Sequence, residues 1–169
     1  ARKLSDQEAE VMKEEKDAYF VPHHPVVREA SVSTKMRIVF NASSKDRNGI
    51  SLNDVLLTGP ALTADIGQIL MRFRTKRVAV VGDLRKMFCQ TAITAEHEKY
   101  QIYLWRGCNQ AIEPEIYVMM RLMFGVSPSP FLAENSVDHH AKQEEINQKF
   151  PMATTEVVEN LYVDDYIGG

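Results

Sequence analysis

Three aspartates carry the chemistry this sequence can do. Asp83 closes the apolar run "VAVVGD" (78–83), and Asp164 and Asp165 stand side by side in "LYVDDYIGG" (161–169). Adjacent carboxylates repel, and placing them in a sheet costs free energy unless something neutralises them. If the two segments are neighbouring strands, the three acids meet at one sheet edge. A divalent cation would remove the conflict. Mg²⁺ takes hard oxygen ligands and shares its coordination between one or two carboxylates and substrate phosphates. Two such ions about 3.5–4 Å apart clamp the attacking and leaving oxygens of a phosphoryl transfer. A plainer reading stays open here, because Asp is a common turn residue and a doublet near a turn requires no metal.

The elements that must position these acids follow from periodicity. Residues 5–18 read as a solvated charged helix or frayed arm, and "YFVPHHPVV" (19–27) is extended because each proline disfavours helix just before it. "KMRIVFNAS" (35–43) reads as a strand centred on Ile38, Val39 and Phe40, and 44–60 is turn-rich, with Asn48-Gly49 the strongest signal. A helix follows, with Thr63 as its cap and Asp65 near its positive end. Its apolar face is Ile66, Ile69, Leu70 and Phe73. "VAVVGD" reads as a buried central strand that delivers Asp83 at its end. "YQIYLW" (100–105) and "EIYVMMRLMF" (115–124) read as strands. Residues 131–149 read as a helix, with Pro130 near its start and Pro151 just past its end. A short helix around Glu156–Glu159 precedes a last strand, Leu161–Asp165, and its turn. Without strict strand–helix–strand alternation, the order predicts an α+β fold with helices against a sheet, not a doubly wound parallel sheet.

Length and composition set the bounds. The chain has 169 residues, enough for one domain or slightly more. No apolar run approaches the roughly 20 residues of a membrane helix, so no membrane partner is expected. The charged N-terminus has no apolar signal core and no initiator Met, which predicts an intracellular piece of a longer polypeptide, not a secreted one. Cys89 and Cys108 form no metal or disulfide pattern and read as free thiols. The net charge of −3 does not announce a nucleic-acid binder, yet Arg72, Arg74, Lys76, Arg77, Arg85 and Lys86 form a local basic strip. Such a strip either holds phosphates or is simply solvated. The pairs His23-His24 and His139-His140 do not share a face and read as surface or packing residues, as do Met119, Met120 and Met123. Ser127 and Ser129 lack the nucleophile elbow of a serine hydrolase.

Taken together, these motifs resemble those of reverse transcriptases. "YVDD" (162–165) looks like the family signature, "VVGDLRKMFCQTAI" like the first palm motif, "LMFGVSPSPFLAEN" like the second, and "TKMRIVFNASS" like the fingers strand. They occur in the family's order from Lys35 to Asp165, most of the chain. "YFVPHHPVV", "RIVFNASS", "SLNDVLLTGP" and "YVDDYIGG" further resemble the reverse transcriptase segment of Bel/Pao-type LTR retrotransposon polyproteins.

The resemblance implies a fingers-and-palm fragment: 1–18 a charged arm, 19–77 mainly fingers, 78–169 mainly palm, with an antiparallel palm sheet backed by helices and no thumb. It implies an RNA-directed DNA polymerase using two Mg²⁺ ions, with Mn²⁺ able to substitute. Asp83, Asp164 and Asp165 would be the catalytic, metal-binding triad, with the main-chain carbonyl of Leu84 as a further ligand. Lys35, Arg37, Arg85, Phe88, Phe124 and Gly125 would form the dNTP site. In it Lys35 and Arg37 grip the triphosphate, and Phe88 excludes a 2′-hydroxyl. Tyr162 would sit near the primer terminus. Implied partners are an RNA or DNA template with its primer, dNTPs, and the polyprotein's protease, RNase H and integrase. The implied compartment is the cytoplasm, in a virus-like particle, or the nucleus.

Two positions depart from the family pattern. Asn41 stands where Asp is common, and Ser43 where retroviral relatives carry Arg. The sequence also stops four residues after Asp165, so an isolated piece is expected to extend primers poorly or not at all. A domesticated remnant that keeps the fold and binds RNA is the alternative. A Mg²⁺-dependent phosphatase or receiver-type domain would need a parallel α/β sheet, which the element order does not predict.

Overall fold

The computed structural model describes residues 1–30, 35–107 and 109–169, so Cys108 and the approach to Lys35 (31–34) lie outside the described residues. The chain forms two compact units, one of residues 1–57 and 92–129, the other of residues 58–91 and 130–169. Helices and antiparallel strands are mixed in an α+β fold. Among the described residues no helix is long and apolar enough to cross a membrane.

The first unit begins with strand β1 (Arg2–Lys3) and helix α1 (Asp6–Glu14). Ser5 and Glu8 close a reciprocal capping box at the start of α1, and Ala9 and Met12 pack onto buried Leu4, Ile102, Ile116 and Val118. The charged N-terminus is therefore a docked helix, not a frayed arm. Strand β2 (His23–Val27) pairs antiparallel with β3 (Met36–Phe40), from His23 opposite Phe40 to Val27 opposite Met36. A short helix, α2 (Leu52–Val55), interrupts the turn-rich segment.

The second unit opens with α3 (Ile66–Arg74). Its cap is Asp65, whose carboxylate accepts the Gln68 N–H at 2.9 Å, while the Thr63 hydroxyl donates to Glu134. The expected Thr63 cap is thus corrected by two residues, because Asp65, not Thr63, directly precedes the first helical residue, Ile66, and so faces the first free N–H groups. Strand β4 (Val80–Asp83) and the short helix α4 (Met87–Gln90) follow.

The chain then returns to the first unit as β5 (Ile102–Trp105) and β6 (Glu115–Val118), giving an antiparallel sheet in the order β1-β6-β5. Strand β6 is shorter than its apolar run. After Val118 the Gln101 side chain takes over, donating to the Met119 and Arg121 carbonyls at 3.1 Å each and accepting the Met123 N–H at 2.9 Å. His23, Phe40, Tyr103, Trp105 and Tyr117 form a chain of ring contacts at centroid separations of 5.2–5.7 Å.

Helices α5 (Ser129–Lys142), α6 (Glu144–Lys149) and α7 (Pro151–Asn160) lead into β7 (Leu161–Tyr162) and β8 (Asp165–Gly168). Pro151 lies just past the end of α6, as expected, and also starts the next helix. It occupies the first turn of α7, where its missing N–H costs nothing. The sheet order is β4-β8-β7, with α3 and α7 packed on β7 and β8. Strand β8, not β4, is therefore central. "VAVVGD" is not buried: Val78, Val80 and Val81 are 67%, 46% and 67% exposed. A continuous apolar run reads the same for a buried strand and for an edge strand, and among the described residues β4 has a neighbour on one side only within this sheet.

Candidate active site

Two strand pairings in the second unit bring the aspartates together. In the β4–β8 ladder Asp83 is the direct partner of Asp165, and in the β7–β8 ladder Tyr162 partners Asp165. The Leu84 N–H donates to the Asp164 carbonyl at 2.7 Å, extending the contact by one residue. Leu161–Asp165 is thus not one strand. The chain reverses after Tyr162, and Val163 and Asp164 form a two-residue hairpin turn. Val163 has φ +59°, a left-handed value that costs a β-branched residue about 1–3 kcal/mol. Asp164 is not left-handed, so the turn has the sign pattern of type II′, in which glycine normally takes the first place. The aspartate doublet is both turn chemistry and sheet edge.

Asp83 and Asp165 are exposed and Asp164 is half-buried. Directly opposed residues of an antiparallel pair project to the same face, so Asp83 and Asp165 are like charges at close quarters. Among the described residues, however, no group of three His, Cys, Asp or Glu side chains is gathered closely enough to hold a metal ion. The backbone juxtaposes the acids, while their side chains do not form a closed cage. The donor set is hard oxygen. Mg²⁺ suits such a set with only one or two protein carboxylates, the rest of its shell coming from water and phosphate.

Around this edge lie the other residues singled out in the second unit. The Leu84 carbonyl, the predicted main-chain ligand, accepts the Met87 N–H at 3.0 Å and keeps one lone pair for another partner. Arg85 is exposed between β4 and α4, and Phe88 is half-buried on α4. Lys86, at φ +56°, turns the chain into that helix. Tyr162 is 37% exposed. The basic strip is partly committed to structure: Arg72 donates to Asn160 Oδ1 at 2.9 Å and to the Glu159 carbonyl, and Lys76 pairs with Glu156 at 2.8 Å.

That pairing belongs to a polar network that the sequence reading missed. Glu156 accepts from Lys76, Asn160 and Tyr166 at 2.8, 2.7 and 3.0 Å. The one available signal was the i, i+4 spacing of Glu156 and Asn160 just before the hairpin. The Lys76 ammonium and the Tyr166 hydroxyl hold the Glu156 carboxyl below its ordinary value of 4.5, and burial and Glu156 push the Tyr166 phenol up. A carboxylate depressed on folding contributes stability that is complete above its unfolded value and is lost as pH falls through its folded value. Thermal melts below about pH 4.5 should therefore show a progressive loss of stability that Glu156→Gln makes shallower. An unchanged slope in that variant would assign the acid sensitivity elsewhere.

The remaining predicted residues belong to the first unit. Lys35 is exposed just before β3, and its carbonyl accepts the Arg28 N–H at 2.7 Å. Arg37 is exposed on β3 opposite Val26. Phe124 is 52% exposed. Gly125 has φ +91°, and a Cβ there would lie 2.4 Å from the Phe40 carbonyl oxygen, so its close approach in this structure is to the end of β3. Asn53 fixes that loop by donating to the Gly125 carbonyl at 2.9 Å and accepting the Ser127 N–H at 2.8 Å. Neither Asn53 nor Gln101 stood out in the sequence, since neither sits in a motif.

No protein-family model and no curated protein matches the sequence. Solved structures do match. The foamy viral protease-reverse transcriptase in complex with an RNA/DNA hybrid aligns over 89% of this chain with a TM-score of 0.61 and 19% identity. The fold is reverse-transcriptase-like. A foamy viral protease-reverse transcriptase in complex with double-stranded DNA gives 0.57 at 20% identity, and a mutant of the prototype foamy virus enzyme gives 0.59 at 21%, each over 89% of this chain. The chain spans 16–21% of the length of those proteins. At such identities the likeness is one of fold, and the reverse-transcriptase fold is carried by fingers-and-palm elements of mixed helix and antiparallel sheet.

Proposed function

We propose that this chain is the fingers-and-palm part of an RNA-directed DNA polymerase encoded by an LTR retrotransposon of the Bel/Pao type. The observation that carries the reading is the register of the second unit's sheet, with Asp83 opposite Asp165 and Leu84 bonded to Asp164. The foamy viral neighbours, solved with an RNA/DNA hybrid and with double-stranded DNA, support primed template as the partner.

In this reading Asp83 and Asp164 would hold Mg²⁺, with Asp165 in a supporting role and the Leu84 carbonyl as a further oxygen. When bound, the metal would supply positive charge to the phosphates and acidify the primer hydroxyl. The primer 3′-oxygen forms a bond to the α-phosphorus of a dNTP, and the bond to pyrophosphate breaks. The protein's share is positioning and charge. Phe88 would bar a 2′-hydroxyl by occupying its volume, Tyr162 would stand beside the primer end, and Arg85 would meet the phosphates. The roles of Lys35 and Arg37 in gripping triphosphate, and of Phe124 and Gly125 in lining the nucleotide pocket, rest on the motif resemblance alone.

The second reading is a fold retained for RNA binding without catalysis. Single-nucleotide extension of a labelled primer on RNA template by a longer polypeptide that adds the thumb to this chain, with Mg²⁺ or Mn²⁺, separates the two. Incorporation that Asp164→Asn removes supports the polymerase. RNA binding without incorporation in either protein supports the retained fold.

A further inference from the structure

We infer that Glu156 is a positioning residue for the Asp164 turn, one carboxylate oxygen tying together the two feet of the hairpin. Glu156 Oε2 accepts from Asn160 Nδ2 at 2.7 Å and from the Tyr166 hydroxyl at 3.0 Å. Asn160 is the last residue of α7, immediately before β7, and Tyr166 is the second residue of β8. The same atom therefore grips the chain on both sides of the segment that carries Asp164 and Asp165. The other carboxylate oxygen is held by Lys76 at 2.8 Å, and Asn160 is held in turn by Arg72 at 2.9 Å, so the clamp is anchored on the α3 side.

The surroundings are built for this contact. Asn160 is 3% exposed, with both of its amide atoms engaged. Tyr166 and Gly168 lie on one face of β8. A Cβ on Gly168 would fall 2.2 Å from the Tyr166 hydroxyl and 3.1 Å from Glu156 Oε2. Only glycine leaves the phenol room to reach the carboxylate.

The tip needs such a grip. A short hairpin is marginal by itself, and a left-handed valine persists only where the surrounding structure over-determines it. Slack at the feet becomes displacement at the tip, where the Asp164 carbonyl receives the Leu84 N–H. That Asp164 must be placed against Asp83 for catalysis rests on the polymerase reading; the clamp itself does not.

Amide hydrogen exchange on the 169-residue chain tests it, with Glu156→Gln and the milder Tyr166→Phe. The Leu84 amide should exchange about tenfold faster or more in both variants, while the Ile69 amide in α3 keeps its protection. An unchanged Leu84 amide in both variants, or equal acceleration at Leu84 and Ile69, overturns the clamp. In a primer-extension assay of a longer polypeptide that adds the thumb to this chain, Glu156→Gln should lower kcat about tenfold and leave the KM for dNTP unchanged. A raised KM at constant kcat overturns the positioning role. If the unaltered longer polypeptide incorporates nothing, the polymerase reading fails and hydrogen exchange alone decides the clamp.

Discussion

Asp83→Asn is expected to abolish nucleotide incorporation and, at the same time, to make the protein slightly more stable. The loss of activity should be on the order of 10³-fold, the scale on which removing one preorganised charge from a phosphoryl-transfer site is felt. The gain follows from the register. Asp83 and Asp165 are directly opposed and both exposed, and like charges opposite each other destabilise an antiparallel pair. Removing one charge should raise the apparent melting temperature by about 1–2 °C at low salt. The rise should vanish near 1 M salt, where the screening length falls to about 3 Å. Melts with and without Mg²⁺ complete the test, because a cation bound between the acids stabilises the unaltered protein more than the variant. A variant that melts lower than the unaltered chain, or one that still extends primers, would remove Asp83 from the site.

Gly125→Ala should cost more stability than the same change at Gly49 or Gly107, the other glycines of the first unit. Two penalties coincide: φ is +91°, and the new Cβ would sit 2.4 Å from the Phe40 carbonyl oxygen. The neighbour cannot yield easily. Phe40 ends β3 opposite His23 and packs on Tyr103, and the next N–H, on Asn41, is bonded to the Pro22 carbonyl at 2.7 Å. A cost of about 3 kcal/mol, or roughly 6–12 °C in melting temperature, is expected. Gly49→Ala is the control, since Gly49 has φ +77° but nothing within 4 Å of the added carbon, and should cost about 1–2 kcal/mol. Urea titrations followed by circular dichroism measure both. Equal losses would show that the clash with Phe40 is relieved by a small shift.

The contrast between these two sites explains what the sequence could and could not reveal. The acids were visible because carboxylates in apolar strands are anomalous, and β3, α3 and β5 were visible because their apolar spacing is unambiguous. The depth of β4 was not, because Val78 to Val81 look alike in a central strand and an edge strand. The hairpin tip was hidden for a different reason. A valine at the first place of a II′ turn contradicts local preference, and only the tertiary setting holds it there. Glu156, Asn53 and Gln101 were silent because a side chain that satisfies distant backbone has no sequence period. Thr63 misled because it and Asp65 are both good caps, and only the backbone geometry chooses between them.

The ring chain of the first unit has a practical use. Trp105 is the sole tryptophan, and its ring lies 5.6 Å from that of His23. Burial pushes the His23 imidazole below its usual 6.5, which favours the uncharged ring beside the indole and moves its protonation to lower pH. Indole emission is thus an intrinsic optical reporter confined to one unit, with the His23 ring as its neighbour. It can follow the unfolding of the β2–β3 and β5–β6 strands without any label and without interference from the half of the molecule that carries the aspartates.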